Sequence, residues 1–267
     1  MTHAPMTHQN AMFAEERHRA ILERLRDSGK ATVEELAAAY QVSAPTIRSD
    51  LARLEQQGLL RRTHGGALSV DGTLFEPPYD HREVLLHREK RAIARMAADA
   101  VKDDETVLLD AGTTTCEIAR ILKDRRRLTV VTNSLANAAI LMENPGIEVI
   151  LVGGTMQAQR RATLGPLAVR FLTSIHVDRA FLAFNGVHPD AGFTVVDFDA
   201  AEVKRQMMAR AAEVVVVADS GKIGRSAFAV VAPVSAAHLL MTDDGAPPHV
   251  LARIAEQGLP YRVAKAA

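Results

Sequence analysis

Apolar residues return at helical spacing at Val33, Leu36 and Ala37, until Gln41-Val42 breaks the pattern. Ser43 followed by Ala44-Pro45 has the composition of an N-cap with proline in the first turn, so a second helix is predicted to begin there. In that helix Ile47, Leu51 and Leu54 fall on one face; Pro45, Thr46, Ser49 and Arg53 fall on the opposite one, with Arg48 flanking them. Gly58 can supply the left-handed residue that stops the helix. Residues 59–63 then read as a short strand, and Gly65-Gly66 as the turn of a hairpin. Two helices meeting at a tight turn, followed by a hairpin, predict a winged helix-turn-helix over residues 14–69, with the helix-turn-helix itself at about 31–50.

Beyond the wing the pattern changes. Gly72, Pro77, Pro78 and Asp80 favour an extended connector, so a linker is expected at 70–82 and a second domain at 83–267. Residues 83–101 carry Ile93, Met96, Ala97, Ala100 and Val101 on one stripe, a helix. Short apolar runs at 106–109, 128–132, 148–152, 179–183, 214–218 and 239–242 then alternate with helical stretches at 115–122, 135–143 and 200–211. Such alternation predicts a Rossmann-like, mainly parallel α/β sheet with helices on both faces.

The free face of the second helix meets the geometry of major-groove reading. Thr46, Arg48 and Ser49 lie near its N-terminus, where base edges are usually contacted, with Ser43 and Arg53 beside them. Arg61, Arg62 and His64 on the wing would serve phosphates or the minor groove. Arg48, Arg53, Arg61 and Arg62 stand against Asp50 and Glu55, a local surplus that favours DNA over the other use of this element, a small protein-binding winged helix.

In a sheet of this kind ligands bind at the carboxyl ends of the strands. Asp110-Ala111-Gly112-Thr113-Thr114-Thr115 follows a buried strand and opens a helix, so its backbone N–H groups and hydroxyls could hold a phosphate at the positive end of the helix dipole. Asn133, in Thr132-Asn133-Ser134, stands at the next junction, and Gly153 and Gly154 at the third. Asp219-Ser220-Gly221-Lys222 offers a lysine that could neutralise an anion. It is not a Walker A loop, because position 216 is Val and Ile223 follows the lysine.

These motifs together resemble one family. Gly29, Val33-Glu34-Glu35-Leu36-Ala37, Val42-Ser43, Thr46-Ile47-Arg48, Asp50-Leu51, Leu54-Glu55, Gly58 and Arg62-Thr63-His64-Gly65-Gly66-Ala67 are similar to the DeoR-type repressors, bacterial regulators of sugar metabolism. The resemblance runs from about residue 15 to the end. Ser49 stands where the family commonly has a second arginine, which puts operator sequence or affinity in question, and Gly221 replaces the second serine of the Asp-Ser-Ser-Lys loop. The resemblance implies a sensor domain with a fold like ribose-5-phosphate isomerases and coenzyme A transferases. It also implies double-stranded operator DNA and a phosphorylated sugar effector as partners, and a homo-oligomer, dimer or tetramer. Repression relieved by the effector is the usual behaviour.

Composition narrows the picture little. The chain of 267 residues is 48% hydrophobic, ample for a core, and its formal net charge of zero leaves DNA binding to local charge. Cys116 is the only cysteine, which excludes an intramolecular disulfide and fits a cytoplasmic location. No apolar run approaches a membrane span, and Met1 to Asn10 reads as a mobile leader without a signal-peptide core. No cofactor is expected. His176, Asp178 and His188 lack metal-ligand spacing. Ser134, Ser220 and Cys116 have no identifiable base partner, and Met207 and Met208 read as core or interface.

Two other functions remain open at this point. A sugar-phosphate isomerase with an attached DNA-binding domain would need a positioned carboxylate. The related isomerases carry Asp-Gly-Ala-Asp-Glu on a strand-end loop, whereas the corresponding stretch here reads Asn185-Gly186-Val187-His188-Pro189, leaving Asp197, Asp199 and Glu202 as substitutes. Alternatively the second domain only oligomerises, with its phosphate loop empty.

Overall fold

The structure, a computed structural model, describes residues 13–56, 59–69 and 76–266. The leader Met1 to Asn10, the helix stop at Gly58 and the linker residue Gly72 lie outside them. The chain divides into two units between Pro77 and Pro78.

The first unit comprises α1 (Ala14–Ser28), β1 (Lys30–Thr32), α2 (Val33–Tyr40), α3 (Ala44–Gln56), β2 (Leu60–Thr63) and β3 (Gly66–Ser69). Ile21 and Leu25 of α1, Leu36 of α2, and Ile47, Leu51 and Leu54 of α3 are buried together, which is the apolar stripe the spacing predicts. Thr32 caps α2 by accepting from the Glu35 N–H (3.1 Å), while Glu35 reaches back to the Thr32 N–H (2.9 Å). The wing is a three-stranded antiparallel sheet ordered β1-β3-β2, one strand more than the expected hairpin. Its turn is His64-Gly65. Gly66 already belongs to β3, opposite Thr32, where a Cβ would overlap the Ala31 carbonyl, so this glycine serves a close strand approach.

The second unit runs α4 (Tyr79–Val84), α5 (His87–Asp99), β4 (Thr106–Leu109), α6 (Thr113–Leu122), β5 (Leu128–Thr132), α7 (Leu135–Leu141), β6 (Ile147–Leu151), β7 (Thr155–Gln157), β8 (Ala162–Leu164), α8 (Pro166–Leu172), β9 (Val177–Leu182), β10 (Gly186–His188), β11 (Gly192–Val195), α9 (Phe198–Ala209), β12 (Ala211–Val217), β13 (Ala229–Ala232), β14 (Leu239–Asp243), α10 (Pro248–Glu256) and β15 (Tyr261–Ala264). A seven-stranded sheet, ordered β15-β14-β12-β9-β4-β5-β6, is parallel at every pairing. One apolar cluster joins it to α5, α6 and α7, the other to α8, α9 and α10, so helices cover both faces. A small antiparallel sheet, β10-β11-β13, packs into the second cluster. Where composition favoured an extended connector, the chain turns helical at Tyr79. The reason is burial: the Tyr79 side chain is only 3% exposed.

The chain moves from β4 outward to β5 and β6, then returns to the other side of β4 as β9 and continues outward to β12, β14 and β15. The direction reverses between β4 and β9, and in open α/β sheets the carboxyl ends of the strands at such a reversal are where ligands bind.

Candidate functional site

The outer face of α3 presents Arg48, Ser49 and Arg53, all exposed. Ser43 caps the helix, accepting from the Thr46 N–H (3.3 Å), and the Ser43 and Thr46 hydroxyls hydrogen-bond one another (2.8 Å), so both hydroxyls are engaged at the helix terminus. Arg61 and His64 are exposed on the wing. Arg62 is turned back toward α3: its N–H donates to Glu55 Oε1 (2.8 Å) and its guanidinium lies 3.9 Å from the same carboxylate. Arg48, Arg53 and Arg61 have no ionic partner among the described residues.

Asp50 does not weaken this basic face as its sequence position suggests. It is 7% exposed and points inward, accepting from Arg17 Nε (2.6 Å) and Nη2 (3.2 Å), with His18 Nε2 at 2.8 Å. Burial alone would raise its pKa, but the hydrogen bonds and charges of Arg17 and His18 outweigh it and hold the carboxyl below its ordinary value. The inner face of α3 is thereby tied to α1.

In the second unit the residues singled out from sequence all lie at the carboxyl edge of the parallel sheet. Asp110 ends β4 at the reversal point. Its Oδ2 accepts the Ala183 N–H at the end of β9 (3.1 Å) and forms an ion pair with Lys204 Nζ, carried in by α9. Both partners are buried, Asp110 1% exposed and Lys204 8%, and the Lys204 ammonium also lies 5.4 Å from the Phe184 ring centroid. Lys204 was not among the sequence candidates. Its signal was a lysine on the apolar stripe of Ala200, Ala201, Val203 and Met207, all buried.

Gly112 lies against β9, where an added Cβ would stand 3.0 Å from Ala183 Cβ. Thr113, Thr114 and Thr115 form the first turn of α6 and are buried. Thr115 is spent within the loop: its hydroxyl donates to the Asp110 carbonyl (2.6 Å), with the Gly112 carbonyl at 2.9 Å. Thr113 and Thr114 therefore remain the hydroxyls of this loop with a role to fill. Asn133 Nδ2 donates to the Thr163 carbonyl (3.2 Å), while Asn133 Oδ1 is buried and lacks a hydrogen-bond partner among the described residues. A neighbour missed from sequence, Asn137, braces two loops by donating to the Asp110 carbonyl (3.1 Å) and to Thr132 Oγ1 (3.3 Å).

Gly153 is exposed with open space at its Cβ position. Gly154 (φ 150°) is required for packing, since a Cβ would stand 2.6 Å from the Leu164 carbonyl. At the end of β12, Asp219 is buried and its carbonyl accepts the Lys222 N–H (2.9 Å); the Ser220 N–H donates to Asp243 Oδ1 (2.6 Å). Lys90 of α5 is buried within electrostatic reach of Asp219 and Lys222. Burial pushes its pKa down to about 8. Together the loops offer backbone N–H groups, two hydroxyls, the unpaired amide oxygens of Asn133 and Asn137 and buried ammonium groups, a constellation suited to an anionic, polyhydroxylated small molecule.

The carboxylates weighed as catalytic substitutes are otherwise engaged or exposed. Asp197 caps α9 (Ala200 N–H, 2.8 Å) and pairs with Arg160; Glu202 binds Arg205 (3.0 Å) and Gln206 (3.0 Å); Asp199 is exposed. No group of three His, Cys, Asp or Glu side chains able to hold a metal occurs among the described residues, and no helix among them is long and apolar enough to cross a membrane.

Comparison with known proteins matches residues 17–73 to the DeoR-like helix-turn-helix domain and residues 86–244 to the DeoR C terminal sensor domain. The HTH-type transcriptional regulator GlpR of Haloferax volcanii is 38% identical over 87% of this chain and 91% of its own length. The HTH-type transcriptional repressor CsqR of Escherichia coli is 35% identical over 89% and 91%, and the HTH-type transcriptional repressor GlcR of Bacillus subtilis is 35% identical over 87% and 89%. Among solved structures, a ribose 5-phosphate isomerase A from Methanocaldococcus jannaschii aligns with 51% of this chain and 54% of its own at 20% identity and a TM-score of 0.39, too slight a likeness to bear on activity. With both of its units matched in order and relatives above 30% identity across most of its length, the chain belongs to the DeoR family of DNA-binding transcriptional regulators.

Proposed function

We propose that the protein represses a carbohydrate-catabolism operon and leaves its operator when a phosphorylated sugar or sugar derivative occupies the loop cluster of the second unit. The observation that carries this reading is the buried Asp110–Lys204 pair at the reversal point of the sheet, flanked by the Gly112–Thr115 turn and the unpartnered Asn133 Oδ1. A phosphate would take the backbone N–H groups of the α6 terminus and the cations. Sugar hydroxyls would donate to Asn133 and pair with Thr113 and Thr114. Relatives bearing the name repressor support the sign of regulation.

On DNA, Arg48, Ser49 and Arg53 would read the major groove, and Arg61 and His64 would anchor the wing on the backbone. Two half-sites are held together only if two heads match their spacing, so the working form is a homo-oligomer, in the cytoplasm, and effector binding acts by spoiling that match. The role is binding without turnover: Asp197 and Glu202 are committed to a helix cap and to side-chain pairs, and Asp110 to Lys204.

The deciding experiment is titration of purified protein into DNA from upstream of its own gene and neighbouring operons, at fixed salt, with and without a panel of hexose and pentose phosphates. Specific binding weakened by one compound is the expected result. Turnover of a sugar phosphate without specific DNA binding would replace this reading with an isomerase-like enzyme.

A further inference from the structure

The chain leaves the linker through α4, a helix of six residues that is fastened to the elements bearing the ligand loops. At its start, the Tyr79 ring lies under the Arg161 guanidinium (4.6 Å to the centroid), and Asp80 pairs with the same arginine. Arg161 belongs to the segment that pairs with the Asn133 loop: its carbonyl accepts the Leu135 N–H (2.9 Å), and Ala162 bridges to Ser134. In the middle, Glu83 binds Arg120 of α6 (2.9 Å), the helix whose first turn is the threonine loop. Tyr79 Oη is buried beside the Cys116 thiol of that helix.

The end of α4 is held differently. Lys90 Nζ, buried, donates to the carbonyls of Arg82 and Leu85 (2.5 Å for the latter), satisfying groups that a helix terminus leaves unpaired. Between them the chain turns at Leu86, a non-glycine residue in the left-handed region (φ 49°). The other charges that act on Lys90 are Asp219 and Glu117, which attract it, and Lys222 and Arg82, which repel it. Helix α5 packs against β12 and β14, so the ammonium that holds the last turn of α4 is also within electrostatic reach of the loop after β12 that carries Lys222.

We propose that Lys90 is a positioning residue that passes the occupancy of the ligand loops to α4: an anion held beside Lys222 draws the ammonium off the Arg82 and Leu85 carbonyls, and α4 loosens from α6 and Arg161. This rests on the reading of the loop cluster as an anion site. The physical logic is a competition for one cation. The two carbonyls are weaker ligands for an ammonium than a phosphate oxygen, and once deserted these half-buried groups lose the cation that ties the last turn of α4 to α5. The turn at Leu86 gives the helix a strained corner to relax. Loosening α4 adds residues 79–86 to the stretch of chain that joins the two units. That lowers the effective concentration of the second reading head at its half-site.

The test uses the full-length protein and hydrogen–deuterium exchange of peptides covering residues 79–86, with inorganic phosphate and with hexose and pentose phosphates as probes. In the wild type, saturating ligand is expected to speed exchange there roughly tenfold or more. Lys90→Met is expected to exchange fast without ligand and to show no further change. Its operator affinity is expected to stand at the wild type's ligand-saturated level without ligand and to fall no further when ligand is added, whereas a residue that only binds ligand would leave basal operator affinity intact. Lys90→Arg, which keeps a cation within reach of the carbonyls, restores the response. Asp80→Asn, which loosens the other end of α4 without touching Lys90, supplies a second variant expected to raise basal exchange.

Unchanged exchange at 79–86 in a wild-type protein that demonstrably binds ligand overturns the proposal and leaves the anion site standing. Slow basal exchange in Lys90→Met overturns the latch regardless of ligand. If no probe binds at all, the anion site itself falls, and the proposal with it.

Discussion

Lys204 and Asp110 show how far one side chain can depend on another. Each is charged and nearly sealed from water, a state tolerable only because the partner is present. Lys204→Met or Asp110→Asn alone is expected to cost about 3–5 kcal/mol, since each strands a buried charge. The double variant should cost clearly less than the sum, and a double-mutant cycle of thermal unfolding measures the difference. Additive losses would mean that the two side chains act independently. Asp50 carries a pH signature. Its folded pKa lies below the unfolded value near 4, so its contribution is complete at neutral pH and is lost as pH falls through the folded value. Asp50→Asn should therefore be less stable than wild type by roughly 1–3 kcal/mol at pH 7. The gap should close in acid, as melting curves at stepped pH would show. Asp110 was legible as a strand-end polar residue, but Lys204 was not: nothing in a local window says that a lysine 94 positions away will complete the pair. Likewise the inward turn of Asp50 depends on α1, which sequence spacing alone does not dock.

At the scale of elements, legibility followed burial on two sides. Five of the six strands read from sequence announced themselves as apolar runs because both faces are covered by helices, whereas β6 keeps an apolar run at the sheet edge with only Ile147 buried; the bounds of all six fall within a few residues of the pattern. The small sheet of β10, β11 and β13 has strands of three or four residues, too short for a period to register, and Gly186–His188 reads as loop. At the sheet edge β15 exposes Tyr261, Arg262 and Val263, so its apolar signal is diluted. The wing illustrates a different gap. Gly65-Gly66 looks like a turn in any sequence, yet the second glycine is there for the backbone of β1. Gly66→Ala is accordingly expected to destabilise the first unit by more than 1 kcal/mol, whereas Gly65→Ala, with open space around it, should cost less; parallel melts separate the two. The wing's electrostatic part is checked by salt. Arg61→Ala should reduce the slope of log affinity against log salt by about one with little change in sequence preference.

For the whole molecule, the decisive property is a division of labour between units that share one chain. Arg48→Ala should weaken specific operator binding by about 1–3 kcal/mol and leave ligand binding intact. Replacing Thr113 and Thr114 with Val should abolish ligand response and leave operator binding intact. Paired titrations of DNA and sugar phosphate on both variants test this, and loss of both properties in both variants would refute separate roles. The division was visible in the sequence as a change of periodicity across a proline-rich stretch. The point at which the second unit begins was less so, because α4 owes its helicity to the burial of Tyr79 and to the carbonyls held by Lys90, both supplied from elsewhere in the fold.

The reversal of strand order between β4 and β9 also bears on when the sensor becomes competent. Its two central charges come from opposite halves of the sheet, so neither half of a growing or partly unfolded chain contains a site. Contacts this distant in sequence are expected to form late, after the costly closure of the intervening loop. On the proposed function, a nascent chain would bind no sugar phosphate until β9 and α9 have docked. A ligand bound there would stabilise the entire sheet by mass action and not one part of it. Proteolytic protection by a bound sugar phosphate should accordingly spread across residues 106–264 as one block.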